Sequence, residues 1–306
     1  MLYTEIGGKT KIKISKIALG CALMGSQINE KDSFLVIDKF LESGGNIVDT
    51  ARVYADWLEG GLNVSETTIG KYIKSRKNRG KIIISTKGGH PPLSDMDVSR
   101  LDKQSLEADI TASLKYLQTD YIDVYFLHRD DKSIPVCEIM PVLNGFVKAG
   151  KALLLGCSNW GAARISEANE FALKNKLTPF SISQLMWSFA EVIKPPADKT
   201  LVIMNDSEYK WYAQNNFPVM AYSSQANGFF SKAVKDGIEN LPQHLKDSYL
   251  SGENIRRIKI IEEIIKRTNC SPAFAAISSL LSNPVNTIAV IGPKNFPQLC
   301  DSLNGI

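Results

Sequence analysis

Eight short apolar runs, separated by stretches of helical periodicity, give the chain its pattern. They are Lys16-Ile17-Ala18-Leu19, Asn46-Ile47-Val48, Lys81 to Ser85, Ile122 to Leu127, Ala152 to Leu155, Phe180 to Ser183, Pro218 to Ala221 and Thr287 to Ile291. Their apolarity is continuous rather than alternating, which predicts parallel strands covered on the outer face by helices. One helical stripe is formed by Phe34, Ile37, Phe40 and Leu41, with Asn29 as its cap and Gly44-Gly45 as its stop. Leu106, Ile110, Leu114 and Leu117 form a second, and Ile139, Val142, Leu143, Phe146 and Val147 a third. Ser271-Pro272 opens a later helix with a capping hydroxyl and a proline in the first turn. Ahead of the first apolar run, Gly7-Gly8 separates Tyr3 to Ile6 from Thr10 to Ile14 and predicts a two-residue β-hairpin capping the main fold.

Strand and helix thus alternate about eight times, which makes the class α/β and one closed barrel of eight parallel strands the economical architecture. A doubly wound open sheet is the runner-up, but no GxGxxG comes after the early strands. No linker, low-complexity tract or close repeat divides the chain, so a single domain over 1–306 is expected.

Composition narrows the class. With 306 residues, 44% of them apolar, the chain can bury one large core. Its net charge of +4 is spread out, with Lys9 to Lys16 the one dense basic cluster, which argues against a nucleic-acid footprint. Five cysteines without CxxC spacing read as reduced thiols in a cytoplasmic protein. The amino terminus lacks a basic region and an apolar core of signal length, so neither export nor membrane insertion is expected. Only three histidines occur, which makes metal chemistry an unpromising reading.

In barrels of this kind the active site lies at the carboxyl ends of the strands. The polar residues just beyond the apolar runs are, in chain order, Asp49 and then Tyr54, Lys87, His128, Ser158-Asn159, Gln184, Tyr222-Ser223 and Gly292-Pro293-Lys294. Any one of these suits an ordinary polar loop start. Together, an acid, a phenol, a lysine and a histidine from three consecutive strand ends form a chemical set. A free tyrosine has a pKa of about 10, and a neighbouring ammonium lowers it. Lys87 supplies that charge, Asp49 holds Lys87 protonated, and His128 orients a carbonyl oxygen. Such a set delivers a proton to a carbonyl while a nicotinamide cofactor delivers hydride.

The segments GGNIVDTARVY, KIIISTKGG, SLKYLQTDYIDVYFLHRDD, LLLGCSNW, ISQLMW, VMAYSSQANGFFS and AVIGPKNFPQLCDSL occur in an order and at spacings that resemble the aldo-keto reductase superfamily. The resemblance covers almost the whole chain. It implies a (β/α)8 TIM barrel, preference for NADPH with NADH as an alternative, a small-molecule carbonyl substrate and a monomer or weak oligomer. It also implies a catalytic tetrad of Asp49, Tyr54, Lys87 and His128. Ser158, Asn159 and Gln184 would hold the nicotinamide carboxamide, Tyr222 would stack on the ring, and the loop of Ser223, Ser224, Gln225 and Gly228 would cover the pyrophosphate. Gly292 and Lys294 match the region near the adenosine 2′-phosphate, and Gln298, Asp301 and Ser302 the adenine segment. Ser302 stands where the family commonly has asparagine, and Asp130 where it often has proline.

Substrate selectivity is expected from loops that carry Trp57, His90, Trp160 and Trp187. Trp57 and Trp187 suit a pocket wall or helix packing equally well. His90 reads as a surface-loop histidine at the mouth. With little sequence after the last helical segment, an open site taking sugars, aldehydes or ketones is expected. Two other functions fit the same residues: a nicotinamide-nucleotide-binding redox sensor, and a lyase that uses Lys87 as a Schiff-base nucleophile.

Overall fold

Each of the eight apolar runs forms a strand, and each strand bonds two parallel neighbours until the sheet closes on itself. The computed structural model describes all residues, 1–306. A hairpin of β1 (Tyr3–Gly7) and β2 (Lys11–Ser15) precedes the barrel strands β3 (Ile17–Gly20), β4 (Ile47–Asp49), β5 (Ile83–Gly88), β6 (Ile122–Leu127), β7 (Ala152–Ser158), β8 (Phe180–Met186), β9 (Val219–Tyr222) and β10 (Thr287–Ile291). The barrel closes where β10 pairs with β3, so an open doubly wound sheet is excluded.

Helices α1 (Glu30–Glu42), α2 (Val64–Arg76), α3 (Lys103–Leu117), α4 (Val136–Lys148), α5 (Ala162–Lys174) and α6 (Asp206–Asn215) each come after one strand. The caps act as the sequence predicts. Asn29 accepts from the Asp32 N–H at 2.9 Å, and Ser271 accepts from Phe274 N–H at 3.0 Å. Between β9 and β10 stand four helices, α7 (Phe229–Asp236), α8 (Gln243–Tyr249), α9 (Gly252–Thr268) and α10 (Pro272–Leu281), with α11 (Phe296–Leu303) after β10. Phe229, Phe230, Leu245, Tyr249, Ile258 and Ile261 give these added helices an apolar cluster of their own.

Inside the barrel, Ala18, Ile47, Val124, Phe126, Leu154, Ile182, Met220 and Ile288 are packed together with Ile6 and Ile14 of the hairpin. The hairpin therefore plugs the amino-terminal end of the barrel, and chemistry is left to the other end. Its turn differs from the expectation. Gly7 pairs with Lys11, so three residues rather than two form the loop. Gly7 sits at φ +103°, where a Cβ would lie 2.1 Å from the Thr10 carbonyl oxygen; the first glycine ends the strand instead of occupying the turn. No helix is long and apolar enough to cross a membrane.

Candidate active site

Strands β4, β5 and β6 are consecutive in the barrel, so Asp49, Lys87 and His128 stand at the same end of three neighbouring strands. Tyr54 comes from the loop after β4, which is tied to β5 at its start. Thr50 N–H donates to Ser85 O at 2.9 Å, and Arg52 N–H to Lys87 O at 3.0 Å. Strand alternation sends Ser85 and Lys87 into the barrel and Thr86 toward the helices.

Lys87 Nζ donates to Asp49 Oδ2 at 2.7 Å, Thr50 O at 2.8 Å and Tyr54 Oη at 3.1 Å. Asp49 Oδ1 accepts from Ser85 Oγ at 2.7 Å and Gln184 Nε2 at 3.1 Å. With the Lys87 and Asp49 side chains 1% and 2% exposed, this is a buried ion pair whose remaining hydrogen-bonding capacity is used. Burial pulls the Lys87 pKa down, but the Asp49 carboxylate and Tyr54 more than offset it, and the ammonium is held above its ordinary value.

Tyr54 departs from the sequence expectation. Burial raises its pKa more than the Lys87 ammonium lowers it, and Asp49 adds to the rise, so the phenol keeps its proton at neutral pH. His128 is driven well below its ordinary range by burial, with the charges of Arg129 and Lys87 adding to the effect. It is a neutral imidazole whose Nδ1 has no partner in the chain. Its ring lies 5.8 Å from Tyr54 and 4.7 Å from His90, both edge to face. The four groups bring together a protonated phenol, an ammonium 3.1 Å from its oxygen, a carboxylate that holds the ammonium, and a neutral imidazole beside the phenol.

The sequence model of the Aldo/keto reductase family matches residues 16–306. The chain belongs to that family. An oxidoreductase of Bacillus subtilis named YrpG and described as uncharacterized is 28% identical, covering 100% of this chain and 91% of its own. An aryl-alcohol dehydrogenase of Pestalotiopsis microspora is 28% identical over 94% of this chain and 73% of its own. A norsolorinic acid reductase of Aspergillus flavus is 36% identical over 58% of this chain and 48% of its own.

In this aldo/keto reductase barrel, the side chains expected around a nicotinamide bond to one another. Asn159, at φ +60° just beyond β7, donates to Ser158 Oγ at 3.1 Å and accepts from Tyr222 Oη at 2.8 Å. Gln184 spends its amide on Asp49. The expected pyrophosphate loop has Ser223, Ala226, Asn227 and Gly228 at positive φ, and curls into the start of α7, whose first turn no side chain caps. Ser224 is buried and donates to Val290 O at 2.7 Å, anchoring the loop to β10.

Where the adenosine end is expected, Gly292, Lys294 and Gln298 are exposed, and Gln298 Oε1 accepts from Lys294 N–H at 2.8 Å. Asp301 lies 3.7 Å from Lys235 Nζ. Ser302 is a correction: it is 3% exposed, accepts from Gln225 Nε2 at 3.0 Å and donates to Gln298 O at 2.8 Å. The shorter hydroxyl is turned inward and links the expected pyrophosphate loop to α11 instead of standing exposed.

The aromatic expectations divide. Trp57 is half exposed with its ring 6.3 Å from that of Tyr54, at the rim of the mouth. Trp187 is half-buried and packs on Tyr209 at 6.0 Å. Trp160 is not at the opening. It is 1% exposed, packs on Phe180 at 5.2 Å and donates from Nε1 to Arg129 O, because the left-handed turn at Asn159 directs the next residue into the helix layer. His90 is not a free surface residue either; it is half-buried against His128, with Nδ1 2.6 Å from Pro91 O.

Sequence reasoning missed Ser85 and Thr50, both bound to the ion pair, and Arg129. Arg129 donates to Thr200 Oγ1 at 2.9 Å and lies 3.3 Å from Asp198. Its signal was its place directly after His128. A cleft of about 630 Å³ beside it is lined by Gly89, Pro91, Arg100, Arg129, Asn159 and Val202.

Proposed function

We propose that the protein is an NADPH-dependent carbonyl reductase in which Tyr54 donates the proton. The observation that carries this reading is the Asp49–Lys87–Tyr54 chain of contacts at 2.7 and 3.1 Å, with neutral His128 beside it. The residues present fit a dinucleotide. The uncapped first turn of α7 offers backbone N–H groups to a phosphate, Gly228 at φ +81° lets the chain pass close to it, and Lys294 is an exposed cation. Bound NADPH supplies the hydride.

The chain's own groups do the rest. The substrate oxygen sits between Tyr54 Oη and the His128 imidazole, and the imidazole donates a hydrogen bond that fixes and polarises the carbonyl. As hydride reaches the carbonyl carbon, the Tyr54 proton passes to the oxygen. The resulting phenolate is stabilised by the Lys87 ammonium, which Asp49 keeps charged and in place. A Schiff base on Lys87 requires a free lone pair, which an ammonium donating to three acceptors lacks. The names of two relatives, an aryl-alcohol dehydrogenase and a norsolorinic acid reductase, together with exposed Trp57 at the rim, favour aryl aldehydes and ketones as substrates.

The test is a tryptophan-fluorescence titration with NADPH and NADH, then NADPH oxidation over a panel of aryl aldehydes, ketones and sugars. Tyr54→Phe should cost about 10²- to 10⁴-fold in turnover, the range for a positioned general acid, with NADPH affinity kept. Wild-type turnover in that variant would sink the assignment. Tight binding without turnover on every carbonyl would favour a redox sensor.

A further inference from the structure

Behind Lys87, between the barrel wall and helices α2 and α3, lies a group of buried polar side chains that the reaction above does not use. Glu66 of α2 is fully buried; its Oε1 accepts from Thr86 Oγ1 at 2.6 Å, and its Oε2 has no partner. Arg52 Nε and Nη1, Ser113 Oγ and Tyr125 Oη are also buried without hydrogen-bond partners, Nη1 having only the ion-pair approach of the Asp56 carboxylate. Ser113 belongs to α3, and Tyr125 pairs with Thr86 across β6 and β5. Native proteins satisfy such groups with protein or with internal water, since leaving them unpaired is costly.

These residues grip the two segments that carry the catalytic pair. Thr86 is the chain neighbour of Lys87 and points the opposite way. Arg52 lies two residues before Tyr54, bonds its N–H to Lys87 O, and approaches Asp56 at 3.5 Å within the same loop. From α3, Asp109 holds Gly89 N–H at 2.9 Å, just past the end of β5. We propose that Arg52 and Glu66, joined through water held by Ser113 and Tyr125, are positioning residues that set the Lys87–Tyr54 contact from outside the barrel. The inference rests on the reductase reading above.

Glu66 is faced by the Arg52 cation from the loop, the Asp109 carboxylate and Ser113 hydroxyl from α3, Thr86 from β5 and Tyr125 from β6. Burial dominates and pushes its carboxyl up to about 7. The attraction between Glu66 and Arg52 is therefore present on the alkaline side of neutrality and lost on the acid side.

Carboxyl ¹³C NMR of glutamate-labelled protein and steady-state kinetics test this together. One glutamate should titrate near 7, vanish in Glu66→Gln, and move upward in Arg52→Met, with Arg52→Lys close to wild type. In Glu66→Gln and Arg52→Met, kcat should fall about tenfold above neutrality, with NADPH affinity unchanged and the acid limb of the wild-type kcat profile removed. Absence of a glutamate titrating near neutrality, or an unmoved midpoint in Arg52→Met, overturns the coupling. Unchanged kcat, or equal losses in kcat and NADPH affinity, overturns the positioning role. A wild type that reduces no carbonyl defeats the reductase reading instead, and the NMR titration still decides whether Arg52 and Glu66 are coupled.

Discussion

Removing the Lys87 ammonium should damage turnover and stability by different routes, and a second substitution should separate them. In Lys87→Met, the phenolate proposed to form as Tyr54 gives up its proton loses a cation 3.1 Å away. At an effective dielectric of about 20, that contact corresponds to about 5 kcal/mol. Relaxation of the remaining site offsets part of it, so we expect kcat to fall about 10²- to 10³-fold, the range seen on removing one preorganised donor. Stability falls for another reason. Asp49, its side chain 2% exposed, is left as an uncompensated buried charge, a loss that costs about 3–5 kcal/mol. The retained bonds from Ser85 and Gln184 put the expectation at the low end of that range.

Adding Asp49→Asn removes the stranded charge, so the double variant should recover most of the lost stability while its turnover stays at the level of Lys87→Met. Urea unfolding measures the first and NADPH oxidation the second. Near-wild-type kcat in Lys87→Met would refute the electrostatic role of the lysine. Additive destabilisation in the double variant would refute the account of Asp49 as a carboxylate kept buried by its partner.

Three further outcomes are expected. Lys294→Met should weaken NADPH about tenfold relative to NADH, as read by fluorescence titration, since the proposed contact is with the 2′-phosphate alone; equal losses remove that role. Trp57→Ala should raise KM for aryl aldehydes but change unfolding free energy by less than about 0.5 kcal/mol, because the ring is half exposed. Glu66→Gln should remove a pH dependence of stability. The carboxyl pKa rises from an ordinary 4.5 to about 7 on folding, so the native state holds a proton that the unfolded state has released. The stabilising contribution is complete below 4.5 and is lost as pH rises through about 7. By the alkaline side of neutrality wild type should have lost about 3 kcal/mol relative to the variant, and parallel urea curves at acid and neutral pH would contradict this.

The barrel was legible because a strand buried on both faces writes itself as an unbroken apolar run, and all eight such runs became strands. The exits were legible as positions but not as directions. Asp49, Lys87 and His128 converge as read, whereas Trp160 comes after a polar exit and is nevertheless turned away by the positive φ at Asn159, a backbone detail no side-chain pattern carries. Helices α7 to α9 were silent for a different reason: they cover their own small cluster rather than the barrel. The sign of the Tyr54 shift was also out of reach. Which of burial and the Lys87 charge wins depends on how completely water is excluded, and only the packed mouth decides it.

Glu66 marks where the pattern could have been pressed further. A helical acid reads as solvated, yet Glu66 shares a face with Ile69 and Ile73 at spacings of three and seven, and that face is buried. An acid on an apolar helix face needs a polar partner on the strand it covers, and Thr86 is the one residue of β5 that provides a hydroxyl there. Because strand residues alternate, the partner is necessarily adjacent to an inward-pointing residue, and here that residue is Lys87. A polar anchor one position from Lys87 adds an outer-face tie, through Thr86 and Glu66, to the ladder bonds that hold β5 between β4 and β6. The same alternation that places Lys87 in the mouth thus makes the outer face of β5 part of what holds it there.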